Sequence, residues 1–464
     1  MPPGFAVCGA SGGEPNWEGS MQWFSRTPFP ALLMLALVSG TTTGSFAGDK
    51  QYGPGVSDTE IKIGQTTAYS GPASAYGNLL SKTQVLYVRM INERGGINGR
   101  KVTLISLDDG YSPPKTIEQT RRLVEQDNVL GIFDSLGTAP NAAIQEYLNE
   151  QHVPHFAVSG ASRFNDPVRH PWSMGVLASY ETEGRIYAKY ILHNIKGAKI
   201  AVLYQNDDLG KDYFKGLREG LGDQAESMIV KATSYELTDP TIDSQIISLK
   251  AAGANVLFDA SSPKFAAQAI RKAFELDWRP THFLSLTGNS IPAALVPAGV
   301  EKSIGIISAS SNKDPGDPMW ASDKGMQDYL AFVKGYIPDK DPSDLLISGG
   351  YNLAQLMLYV LERCGDNLSR DNVMYQAAHM HDAEFPLLLP GVKVNTSPTN
   401  YRGFNQLQLE KFDGKRWVPF GEIIGERSRI FADDRPQTRA TLIQRSGRRT
   451  EIEYAVRRTD GNKF

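Results

Sequence analysis

Two spacings of apolar residues alternate along most of this chain. Runs rich in β-branched residues read as buried strands at Ile61–Thr67, Val102–Leu107, Val129–Asp134, Val153–Ser159 and Lys199–Tyr204. Four more follow at Met228–Thr233, Asn255–Ala260, His282–Leu286 and Ser303–Ser308. Between them apolar positions recur every three or four residues, as in Glu181–Ile195 and Thr241–Ala252. Leu79, Leu86 and Met90, with Leu80, Tyr87 and Ile91, make one apolar face of this kind. Strands alternating with amphipathic helices predict βαβ units, hence an α/β fold of parallel sheets covered by helices. Nine strands are many for one open sheet, and 464 residues suffice for two lobes of ordinary size.

Two local signals sharpen this reading. IKIGQTTAYSGPASAY (Ile61–Tyr76) is a strand that stops at the Ser70-Gly71-Pro72 turn and leads into a helix. ERGGINGR (Glu93–Arg100) is a helix end, Arg94 followed by Gly95-Gly96, running into the next strand. Asp108-Asp109 and SPPKTIEQTRRLVEQDNV come next, then LGTAPNAAIQEYL, SGASRF, AKYIL and KIAVLYQNDDLGKDYFKGL. PKFAAQAIRKAFEL and LEKFDGKRWVPFGE close the series. From about Val56 to Ile424 this order of motifs resembles the periplasmic solute-binding proteins of ABC importers, of the leucine/isoleucine/valine-binding type.

The resemblance implies two Rossmann-like lobes, a three-stranded crossover hinge and a ligand cleft between the lobes. It places crossings near Ala178, Ile306 and Phe412. Lobe 1 is then 58–178 plus 306–412, and lobe 2 is 179–305 plus 413–425. A hairpin around Asp413-Gly414 closes the fold. The implied role is capture of an amino acid or a related small carboxylate or amide by cleft closure, for delivery to permease subunits in the membrane. A ligand-sensing regulator on the same fold is the alternative, and export argues against it. A monomer is expected.

Composition narrows the class further. Apolar content of 41% and charged content of 21% suit a globular protein. A formal net charge of -3 without a long Lys/Arg run in the α/β region disfavours nucleic acid. Pro28–Val38 is an apolar run of about ten residues, too short to span a bilayer. Arg26 precedes it and Ser45-Phe46-Ala47 follows, the pattern of a secretory signal with cleavage after Ala47. Residues 1–47 are therefore read as an upstream segment plus signal peptide, with Met21 the more natural start, and the mature protein as periplasmic. Residues 426–464 form a basic extension with ten basic residues from Arg427 onward against five acidic. It reads as a solvated tail or as an arm for anionic lipid.

Cys8 leaves with the signal, so Cys364 alone remains and no internal disulfide is expected. The leucine-binding relatives carry a disulfide near positions that Tyr111 and Asp134 occupy here. From Val56 to Ile424 no GxSxG, HExxH, GxxxxGK[ST] or GxGxxG pattern occurs, so an enzyme is not expected. The pairs His152/His155 and His379/His381 lack the Cys or acidic company of a metal site, and no metal or cofactor is expected.

Loops beyond the carboxyl ends of strands are where such folds bind ligands. Ser135 follows the third expected strand, just before a helix. It is read either as a carboxylate ligand beside positive backbone N–H groups or, with Thr138, as a helix cap. The resemblance places Ser135 at the family's carboxylate-binding serine. In the loop after the fourth strand it makes Ser159 and Ser162 candidates for the ligand's amino and carboxyl groups, with Ala161 at the family's threonine position. Tyr76 matches a cleft tyrosine, or is a core aromatic. On the second lobe Leu209 and the Ser261-Ser262 region stand where leucine-binding members place tyrosines. Thr287 in LSLTGNS replaces the acid that pairs with an α-ammonium; Asp259 is a substitute acid or the cap of the next turn. An unpaired buried ammonium costs several kcal/mol, so a carboxylate or amide without an α-ammonium, aromatic or aliphatic, fits as well as an amino acid.

Overall fold

The computed structural model describes residues 50–425, so the expected signal peptide and basic extension lie outside the described residues. The first sheet comprises β1 (Glu60–Thr67), β2 (Lys101–Asp108), β3 (Ile132–Leu136), β4 (His155–Val158) and β5 (Ser173–Gly175). Its order is β2-β1-β3-β4-β5 and every pairing is parallel. Parallel pairing needs a crossover after each strand. Helices α1 (Lys82–Glu93), α2 (Pro113–Arg121) and α3 (Thr138–Glu150) supply three of them. The apolar face anticipated on the first helical stretch is the packed one: Leu80, Tyr87 and Met90 are buried against Ile61, Ile63 and Phe133.

The chain then leaves β5, passes through residues 176–179 and enters α4 (Tyr180–Asn194). Ser179 caps α4, its hydroxyl accepting from the Thr182 N–H at 3.4 Å. Next come β6 (Ile200–Gln205), α5 (Asp208–Leu221), β7 (Ile229–Tyr235), α6 (Asp243–Ala251) and β8 (Val256–Ala260). They are followed by α7 (Pro263–Glu275), β9 (Thr281–Leu284) and β10 (Ile307–Ser310). After β10 the chain returns to the first lobe as α8 (Lys324–Tyr336), α9 (Leu345–Arg363) and α10 (Arg370–Ala377). Met326, Tyr329, Tyr351 and Val373 of these helices share one core with Ile61, Phe133 and Phe156. The hairpin β11 (Gln406–Phe412) and β12 (Trp417–Gly425) completes the second sheet in the order β12-β11-β10-β9-β8-β6-β7.

Sheet membership differs from the expected division at its later boundaries. The span 306–412, expected in lobe 1, has its first and last strands in the second sheet. Phe283 of β9 pairs with Ile307, and β10 and β11 are antiparallel with Ser308 opposite Glu410. The crossings therefore fall after Ser310 and before Gln406. An apolar strand satisfies its backbone equally well in either sheet, so periodicity carries no information about which one it joins. The third strand also runs later than expected, at Ile132–Leu136, so Ser135 lies within it, opposite Ala157 of β4.

Cys364 is buried, its thiol donating to the Val360 carbonyl at 3.3 Å, and burial pushes its pKa up to about 12. His155 is also buried, between Asn141 Oδ1 (2.7 Å) and Ser173 Oγ (3.1 Å), and burial holds its pKa down to about 3. His152 stacks on Trp172 instead, so the two histidines do not converge. No described helix is long and apolar enough to cross a membrane.

Candidate functional site

A cavity of about 160 Å³ lies where the carboxyl ends of the two sheets face each other. A cavity near 150 Å³ holds one benzene-sized molecule. Tyr76, Tyr111, Gly137 and Thr138 line it from the first lobe; Gln205, Leu209, Ser262 and Thr287 line it from the second. The crossing segments contribute Val176–Ala178 and Ser310–Asn312, and α9 contributes Leu345, Leu346 and Leu353. No Asp, Glu, Lys, Arg or His side chain is among these lining residues or the others that complete the wall.

Tyr76 reaches the cleft because Gly77 lets the chain fold back onto the end of β1. A Cβ at Gly77 would stand 2.1 Å from the Ala68 carbonyl oxygen. The Tyr76 hydroxyl donates to the Thr287 carbonyl at 2.6 Å, one lobe bonding the other across the cleft. A second link joins the same lobes: the Ser162 N–H donates to Asp212 Oδ2 at 2.6 Å, and Arg163 pairs with Asp208 at 2.8 Å. The described conformation is therefore closed.

Of the residues singled out in the sequence, Tyr76, Leu209 and Thr287 meet at the cavity wall. Ser135 does not reach it. That side chain is fully buried, and its hydroxyl accepts from the Thr66 N–H (2.9 Å) and from Thr66 Oγ1 (3.1 Å), tying β3 to β1. Ser159 is buried one step back from the wall, sharing a 2.8 Å hydrogen bond with Thr138 Oγ1 and accepting from the Ala161 N–H. Ala161 packs with Phe164 and Tyr180 in the second core. Ser162 is occupied by Asp212. Ser261 is fully buried with its hydroxyl unpartnered, while its neighbour Ser262 lines the cavity. Asp259 pairs with His282 at 3.1 Å and is not part of the wall.

Ser135→Ala is accordingly expected to act on stability rather than affinity. It leaves a buried N–H without an acceptor, a loss of about 1–3 kcal/mol in denaturant unfolding. The dissociation constant of any bound solute, read by calorimetry, is expected to stay within about twofold.

Tyr111, which in the sequence stands only near the place of a relative's cysteine, is a wall residue. Its φ is 61°, left-handed for a bulky side chain. Asp109 holds that turn: Oδ1 accepts from the Tyr111 N–H at 2.8 Å, and Oδ2 accepts from Thr116 Oγ1 at 2.8 Å. The Tyr111 ring lies over Gly137, where a Cβ would come within 2.4 Å of it. The phenol oxygen accepts from the Thr138 N–H at 3.3 Å, the start of α3. Burial raises the phenol pKa well above its ordinary value, so the group stays neutral. Tyr180, Gln205 and Asn289 also line the cavity and carried no sequence signal. Tyr180 begins a helix after a crossing, and α9 arrives from more than two hundred residues downstream of β3.

These features are those of a two-lobed solute receptor, and the chain belongs to the periplasmic binding protein family, whose model matches residues 60–413. It is similar to the Leu/Ile/Val-binding protein homolog 7 of Brucella abortus, 24% identical over 249 residues, 51% of this chain and 61% of that protein. The match thus spans about three fifths of the length of such curated relatives. Among solved structures, a branched-chain amino acid ABC transporter protein from Thermus thermophilus with bound valine superposes with a TM-score of 0.72. It is 17% identical and covers 81% of this chain and 99% of its own. A fatty acid ABC transporter substrate-binding protein from Thermomonospora curvata superposes with a TM-score of 0.68 at 20% identity, covering 83% of this chain and 96% of its own. The fold is the type I periplasmic binding protein fold.

Proposed function

We propose that this chain is the extracytoplasmic solute-binding component of an ABC importer. It captures a small, largely apolar solute without an α-ammonium by closing its lobes, and presents the closed form to membrane permease subunits. The observation that carries the solute class is the wall itself, on which no ionised side chain is available to either end of a zwitterion. Family membership supports the transport role and the extracytoplasmic location. The fold leaves the cargo open, because its relatives carry names as different as branched-chain amino acid and fatty acid proteins.

Closure requires a ligand that bonds the closed state better than the open one. Here both lobes offer apolar wall and neutral hydrogen-bonding groups that come together only on closing. A thermal-shift panel of leucine, isocaproate, isocaproamide, benzoate and benzamide tests the reading, since a bound solute raises stability by mass action. The largest shift is expected from a solute lacking the ammonium. Leucine as the strongest stabiliser of the panel would refute this reading.

A further inference from the structure

We propose that Tyr111 is a specificity-determining residue of the cleft: its phenol occupies the start of α3, where a solute carboxylate would otherwise sit, and so selects uncharged solutes. This rests on the reading of the cavity as the solute site.

The backbone N–H groups at the start of a helix favour an anion, through exposed donors and the positive end of the helix dipole. In this chain that position is filled from within. The Tyr111 ring covers Gly137 and its oxygen takes the Thr138 N–H. The occupancy is built in rather than incidental. A tyrosine at φ 61° is strained, and such a residue persists only where its surroundings hold it. The holder is Asp109, itself fully buried and bonded to Thr116 and to the Tyr111 N–H. A carboxylate entering the cleft must therefore displace a wedged aromatic ring or remain without this donor.

Nothing else on the wall compensates. No cation lines the cavity. The nearby Asp207 is consumed by the Leu209 N–H at 3.0 Å and by Gln205 Nε2 at 2.6 Å, and it would repel an anion. Asn352, also on the wall, is buried and neutral, its Nδ2 donating to Asn312 Oδ1 at 2.8 Å. A neutral molecule with an apolar body suits such a wall.

The test is the affinity ratio within matched pairs, isocaproamide against isocaproate and benzamide against benzoate, by calorimetry well above the carboxylate pKa. The unmodified protein is expected to bind the amide at least tenfold more tightly. Tyr111→Gly suits the positive φ and exposes the Gly137–Thr138 backbone, so it is expected to shift that ratio at least tenfold toward the carboxylate. Tyr111→Phe keeps the ring and is expected to shift it less. A carboxylate preference in the unmodified protein, or a ratio unchanged in a Tyr111→Gly variant that still unfolds cooperatively, overturns the inference while leaving the receptor reading intact. Failure of both members of both pairs to bind removes the receptor reading for this cavity, and the inference with it.

Discussion

Replacing Glu183 by glutamine is expected to remove a stability loss of about 3 kcal/mol between acid and alkaline pH. Glu183 is fully buried on α4 and accepts from the Tyr187 hydroxyl (2.7 Å), the Tyr213 hydroxyl (2.7 Å) and the Leu286 N–H (2.8 Å). Burial raises its pKa from 4.5 to about 7, despite those three donors. The folded state thus binds the proton more tightly than the unfolded one. The contribution is fully present below pH 4.5 and is lost as pH rises through about 7. A shift of that size converts to about 3 kcal/mol at 1.36 kcal/mol per unit. Tyr187 and Tyr213 face the carboxylate as neutral donors, and Glu183 in turn helps raise the pKa of the buried Glu410 of β11 as a like charge. Since burial raises the Glu410 pKa as well, the telling quantity is the difference between the unmodified protein and Glu183→Gln. Denaturant unfolding at about pH 5 and pH 8 measures it. Equal pH slopes in the two proteins would show that Glu183 does not titrate in this range. The residue also bears on the site, because Leu286 precedes Thr287, whose carbonyl receives the Tyr76 hydrogen bond between lobes.

Leucine, isoleucine and valine are expected to bind at least tenfold more weakly than the best solute without an α-ammonium. Thr287 lines the cavity at the position where the resemblance places an acid, and its hydroxyl shares a 3.0 Å hydrogen bond with Ser285 Oγ. Neutral acceptors offset only part of the desolvation of a buried ammonium, which costs several kcal/mol. Asp259 offers no substitute, being paired with His282 away from the wall. Thr287→Glu is expected to move the preference toward amino acids by a factor of ten or more, in competition between leucine and isocaproamide. Submicromolar leucine binding to the unmodified protein would mean that an ionised partner reaches the cleft from outside the present wall.

How much of this was legible in the sequence depends on the range of the interaction concerned. The alternation of strands and helices is local chemistry, with β-branched runs buried on both faces between amphipathic helices, and the two parallel sheets follow from it. Tyr76 and Thr287 could be picked out because the resemblance matches both to cleft positions in segments that follow strands, where side chains of an α/β fold reach the cleft. Ser135 failed the same argument by one or two residues. Its strand ends at Leu136, so the hydroxyl stays inside the sheet and serves Thr66. Strand ends are set by pairing with neighbours far along the chain, and apolar content does not mark them to within a residue.

The sequence by itself determined the fold class and the family, since both are carried by residue identity at short range. Only the tertiary structure decided which sheet receives Ile307–Ser310 and Gln406–Phe412, because hydrogen-bond pairing is chosen among distant strands of equal apolar character. Only it showed that Tyr111, in a left-handed turn held by Asp109, fills the helix start offered by Gly137 and Thr138. A side chain's direction depends on a backbone conformation that the surrounding fold imposes, and no spacing of letters states it.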